Sequence, residues 1–168
     1  MSIINRGILC DIIDPMNKTS AGILIYRETD AGIEFLLAHP GGPFWKSKDE
    51  GAWSILKGEN SADEELLKTA QREFNEETGF VPPENLIELG SVIQKNGKTV
   101  YAWAGEGEYD VSKSKSNTFE MEWPPKSGKK ISVPEIERVE YFDIHAAKIK
   151  INPAQAAFID RLMDKLTL

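Results

Sequence analysis

An α/β fold is predicted for this 168-residue chain by three observations. Short segments rich in β-branched and aromatic residues recur along it, a helical pattern of three- and four-residue apolar spacings lies between them, and a second such pattern closes the chain. The length suits one domain spanning residues 1–168, large enough to bury about 70% of its unfolded surface.

Residues 20–27 (SAGILIYR) and 33–39 (IEFLLAH) read as paired strands around a turn at 30–32. Residues 40–51 (PGGPFWKSKDEG) combine Gly, Pro and charge and read as a loop, after which 52–56 (AWSIL) is extended and Gly58 breaks the pattern. The main helix is predicted over 62–78, where Leu66, Leu67, Ala70 and Phe74 share a face and Gly79 supplies the stop. Strands at 87–94 and 99–104 flank Asn96-Gly97, a tight hairpin turn. In TFEMEW, Phe119, Met121 and Trp123 alternate with Glu120 and Glu122, as a short strand requires, within loops made basic by Lys113, Lys115, Lys126, Lys129 and Lys130. Residues 136–142 read as a strand, and Asn152-Pro153 as the start of a closing helix with Phe158, Ile159, Leu162 and Leu166 on its buried face. Within residues 1–18, Ile3, Ile4, Ile8, Leu9, Ile12 and Ile13 suit an edge strand, an N-terminal dimer arm or a flexible terminus alike.

The formal net charge of −7 disfavours a nucleic-acid polymer or an anionic membrane as partner, because both need clustered Lys and Arg. Small phosphorylated ligands remain compatible if a metal supplies the positive charge. No apolar run approaches the roughly 20 residues of a membrane span. The opening MSIINRGILCDIIDP lacks a basic segment and a cleavage site, and Cys10 is the single cysteine, so the chain reads as cytoplasmic without an intrachain disulfide.

The chemistry concentrates in REFNEETGF, residues 72–80. At about 100° per residue, Glu73, Glu76 and Glu77 fall on one arc of the helix while Phe74 faces the core. A solvated acidic face would look the same, since a repelling pair at this spacing costs only about 0.2–0.5 kcal/mol. The longer register decides between them. From Gly58 the chain reads GENSADEELLKTAQREFNEETGF, with Gly58, Glu64, Arg72, Glu73, Glu76, Glu77 and Gly79 at fixed spacings that chance supplies on the order of 10⁻⁸ per window.

This register matches the signature box of the Nudix hydrolases, with Phe74 and Phe80 where aliphatic residues are commoner. SAGILIYR, HPGGPFW, GAWSILKGE, EWPPKSG and PEIERVEYFD extend the resemblance to a bacterial subgroup of predicted NTP pyrophosphohydrolases, in which Pro usually stands at the position of Leu56. SAGILIYR and WSILKGE also resemble diadenosine polyphosphate hydrolases.

The resemblance implies a Nudix-type α/β/α sandwich with a mixed β-sheet and divalent-metal-dependent hydrolysis of a phosphoanhydride bond. The implied substrate is a nucleoside diphosphate-linked small molecule, an NTP or a dinucleoside polyphosphate. Hard carboxylate oxygens suit Mg²⁺ or Mn²⁺, and the expected ligands are Glu73, Glu76 and Glu77 with the Gly58 carbonyl. Arg72 is expected to orient the glutamates, Glu64 to support the loop, and Glu73 to act as general base, with Glu120 and Glu122 as outside candidates. Arg27, His39, Trp45, Lys46, Lys48 and Lys57 are candidates for substrate contact, Trp45 by stacking a base. A catalytically idle Nudix-like module that binds a nucleotide or a protein is the alternative.

Overall fold

The computed structural model describes residues 18–167, so Cys10 and the arm considered for the preceding residues lie outside the described residues. A long central strand, β1 (Thr19–Thr29), organises the sheet because it borrows partners along both edges. On one edge β5 (Thr99–Glu106) runs parallel to it, followed by antiparallel β4 (Ile87–Ile93). On the other edge two strands share β1. Ser20 to Ile23 pair with β3 (Leu56–Glu59), and Ile25 to Thr29 pair with β2 (Gly32–Pro40), which carries β8 (Ile136–Asp143) beyond it.

The period-two pattern of β1 divides the core. Ala21, Ile23 and Ile25 join Leu36, Ala38, Leu56 and Val139 under Ala70 and Phe74 of helix α1 (Leu66–Thr78). Leu24 and Tyr26 point the other way, with Phe35, Leu37 and Val100, onto Ala147 of α2 (Ile144–Lys150) and Phe158, Ile159 and Leu162 of α3 (Ala156–Leu166). The result is the expected α/β/α sandwich around a mixed sheet. A separate hairpin of β6 (Thr118–Glu122) and β7 (Lys130–Pro134) stands off it.

Four elements differ from expectation. The strand predicted at 52–56 begins four residues later, at Leu56. Trp53 and Ser54 instead make isolated bridges to Ile151 and Ala38, and Gly58 lies inside β3 rather than ending it. Helix α1 begins at Leu66 and not at 62, since residues 61–65 form a turn whose Glu64 carboxylate accepts from the Thr69 hydroxyl at 2.6 Å. Helix α2 and strand β7 were not expected. At the other end of α1 the prediction holds: Gly79 takes φ 76°, and its N–H closes on Asn75 O at 2.7 Å. No helix among the described residues is long and apolar enough to cross a membrane.

Candidate active site

Antiparallel pairing of Ala21 with Gly58 sets β3 beneath α1, and the helix lays its acidic arc along that strand. Gly58 is required there by space. A Cβ at this position would fall 1.9 Å from Cδ of Glu73, so the absent side chain is what lets the carboxylate rest against the strand. One turn on, Glu77 is 7% exposed, and its Oε2 accepts from the Lys57 N–H at 2.9 Å.

Arg72 gathers three acids. Its Nε and Nη2 donate to the Glu64 carboxylate at 3.0 and 2.9 Å, while Nη1 donates to Glu73 Oε1 at 2.9 Å and Glu76 Oε2 at 3.0 Å. This fork ties the turn before the helix to the first two acids on it. The Arg72 hydrogen bond holds the Glu64 carboxyl down to about 2, while the same network raises the already high pKa of the guanidinium.

A further acid arrives from elsewhere in the chain. Glu135, at the corner between β7 and β8, is pinned through its backbone: its N–H donates to Asn117 O at 2.9 Å and its carbonyl accepts from Gly41 N at 3.0 Å. Asn117 in turn donates to Glu76 O at 3.0 Å, which sews this corner to α1. Carboxylate oxygens of Glu73, Glu77 and Glu135 all lie within 4.8 Å of one another. Burial raises the pKa of each, most strongly for Glu77, and the neighbouring carboxylates push the same way. Burial also lowers the pKa of Lys57 despite the nearby acids, so desolvation outweighs attraction on both sides of that contact.

The structure places the expected residues unevenly. Glu73 and Glu77 converge, but Glu76 turns to Arg72, and Glu135 completes the cluster. Glu120 and Glu122 are exposed on β6, opposite Ser132 and Lys130 in the register, and do not belong to the cluster. Arg27 lies six residues along β1 from Ala21, about 20 Å away at ordinary strand rise. It packs over the Tyr141 ring at 3.6 Å and donates to Glu34 at 2.7 Å.

His39 is 2% exposed. Its Nε2 donates to Lys48 O at 2.6 Å, and Nδ1 sits 2.9 Å from Glu137 Oε2, out of line for a hydrogen bond. The ring therefore pins the 40–51 loop from beneath. Lys46 and Lys48 are exposed on that loop, with Lys48 over the Phe44 ring at 3.4 Å. Trp45 and Lys57 line one cleft of about 210 Å³, reached from the cluster through Lys57.

Glu135 was missed because no spacing links it to the box. It stands in PEIERVEYFD, a segment whose periodicity is that of a strand and marks no acid in it for the site.

A sequence model of the NUDIX domain matches residues 16–162. The chain belongs to the Nudix family. No curated sequence relative matches it. Among solved structures, the Nudix chain resembles an Ap4A hydrolase from C. elegans in a binary complex, with TM-score 0.62 and 20% identity, covering 89% of this chain and 98% of that one. The NUDIX domain of Shewanella oneidensis NrtR, complexed with ADP ribose, superposes with TM-score 0.63 at 15% identity over 99% of both chains. A Nudix hydrolase from M. Smegmatis, RenU, gives TM-score 0.56 at 19% identity over 89% of this chain and 85% of that one. These likenesses establish the Nudix fold.

The Nudix residues fit a divalent cation. Three converging carboxylates are hard donors, their burial penalises unneutralised charge, and the Gly58 gap leaves the Glu73 carboxylate against the strand. Gly58→Ala should therefore displace Glu73 and lower turnover about 10²-fold, because small misplacements at a reacting centre have effects of that size. Steady-state rates beside an unchanged far-UV circular dichroism spectrum would check it, and a rate within twofold of the parent would refute it.

Proposed function

We propose that this Nudix-type hydrolase cleaves a phosphoanhydride bond in a nucleoside diphosphate-linked small molecule, an NTP or a dinucleoside polyphosphate, with Mg²⁺ or Mn²⁺. The observation that carries this reading is the convergence of Glu73, Glu77 and Glu135 beside Gly58. Bound there, a divalent cation supplies neutralisation of phosphate charge and a water of lowered pKa.

The chain's own residues do the rest. Glu73, Glu77 and Glu135 hold the cation, Arg72 fixes the Glu73 carboxylate through Nη1, and the Lys57 N–H fixes that of Glu77. Glu73 serves as general base, its carboxylate set in place against β3 by Arg72 Nη1 at 2.9 Å. Trp45 and Lys57 hold the nucleotide in the adjoining cleft. The likeness to an Ap4A hydrolase supports a two-nucleoside substrate within this class.

A panel of NTPs and dinucleoside polyphosphates, assayed with Mg²⁺ and Mn²⁺ in ¹⁸O-labelled water with products resolved by mass, tests the reading. Label in a phosphate product that appears only with metal is expected. Nucleotide binding without hydrolysis across the panel would overturn it in favour of an idle binding module.

A further inference from the structure

The cleft beside Lys57 has a polarity that hydrogen-bond accounting fixes. Gln155 is 1% exposed, and the buried Ile55 N–H points to its carboxamide at 3.0 Å. A backbone N–H can only donate, so the facing atom is the carbonyl Oε1. Its Nε2 is then a donor, to Ser54 Oγ at 3.1 Å and to Gln94 at 2.8 Å. Gln94 must accept with Oε1, which turns its amino group away from the relay.

The same logic applies twice more. The oxygen of Asn96 accepts from Lys98 N–H at 3.0 Å, and that of Asn152 from Ala154 N–H at 3.0 Å. Gln94, Asn96 and Asn152 line the cleft together with Trp45 and Lys57, and no carboxylate of the described residues lines it. Among the described residues, none of the three amino groups is engaged. Lys57 donates whether charged or neutral, and the Trp45 indole N–H can only donate. The amides and these two side chains therefore offer a ligand donors, beside the aromatic ring of Trp45.

We propose that this cleft takes the base of the nucleotide and selects bases with an oxo group at purine C6 or pyrimidine C4 over bases with an amino group there. At C6 or C4, guanine, hypoxanthine and uracil present an acceptor, which in the purines stands beside the acceptor N7, where adenine and cytosine present an amino donor that would face the amides of the cleft donor to donor. Phosphate oxygens would also satisfy these donors, but phosphate has no use for an aromatic ring in the lining. The inference rests on the nucleotide reading above.

Matched pairs test it, because ITP and ATP, or UTP and CTP, differ by an oxo-for-amino exchange, which also turns the adjoining ring nitrogen from an acceptor into a donor. With Mg²⁺, kcat/KM is expected to favour ITP over ATP and UTP over CTP by about 3- to 10-fold, the worth of one hydrogen bond gained in place of a donor-to-donor contact at partly exposed amides. Gln94→Glu places an acceptor in the cleft and should move the ITP/ATP ratio at least about tenfold towards ATP. Equal rates within each pair, or a preference for the amino base, would overturn the proposal. Loss of the preference to competing inorganic tripolyphosphate would instead assign the cleft to phosphate and overturn it too. Dissociation constants for the same four nucleotides read the preference without turnover, so absence of hydrolysis would refute the function and leave the selectivity separately measurable.

Discussion

Glu77→Gln is expected to lower metal-dependent turnover about 10³-fold while raising the stability of the metal-free protein near neutral pH. A drop of that size corresponds to about 4 kcal/mol of transition-state stabilisation, within the range a catalytic cation provides. The amide keeps an oxygen for the Lys57 N–H, so the seat of the side chain survives and only its charge is lost.

The stability gain follows from sign. Burial raises the Glu77 pKa, so the folded chain binds this proton more tightly than the unfolded chain, whose carboxylate titrates near about 4.3. Above that pH the wild-type fold carries a penalty, which is relieved as the pH falls, and the glutamine variant carries none. Melting temperatures in EDTA should differ by a few degrees at pH 8 in favour of the variant and converge towards pH 4. Added Mn²⁺ should stabilise the wild type by about 2.7 kcal/mol at a hundredfold excess over its dissociation constant and the variant much less. A variant with wild-type rates would remove Glu77 from the metal site.

Phe74→Ala has the largest expected effect on the fold. The ring is fully buried between α1 and the face carrying Ala21, Ile23 and Ile25, with the Tyr109 ring 5.6 Å away. Its removal should cost about 3–5 kcal/mol and lower the melting temperature by roughly 10 °C. A calorimetric midpoint within 2 °C of the parent would show that something other than this ring seats the acidic helix.

The contrast between these residues marks what the sequence could disclose. Phe74, Glu73 and Glu77 sit on one helix, where a fixed angular step turns spacing into direction, and all three were legible. Gly58 was read as a breaker because glycine commonly interrupts strands. Its use inside β3 depends on Glu73, fifteen positions on, approaching from above. Helix α2 was missed because seven residues show too little periodicity, although the Asp143 carboxylate that caps it at Ala146 N is a local signal. Glu135 required the corner between two strands to meet α1 through Asn117, a contact no local pattern encodes. The amide polarity of the cleft was equally hidden, since it follows from which backbone N–H each oxygen meets.

The hydrogen bond from Lys57 to Glu77 comes from the main chain. Any residue but proline can donate it, so position 57 can exchange its side chain without disturbing the orientation of the acid. The strand thus separates two kinds of inheritance: its backbone keeps the reaction, while the side chains it presents to the cleft are free to diverge towards new substrates.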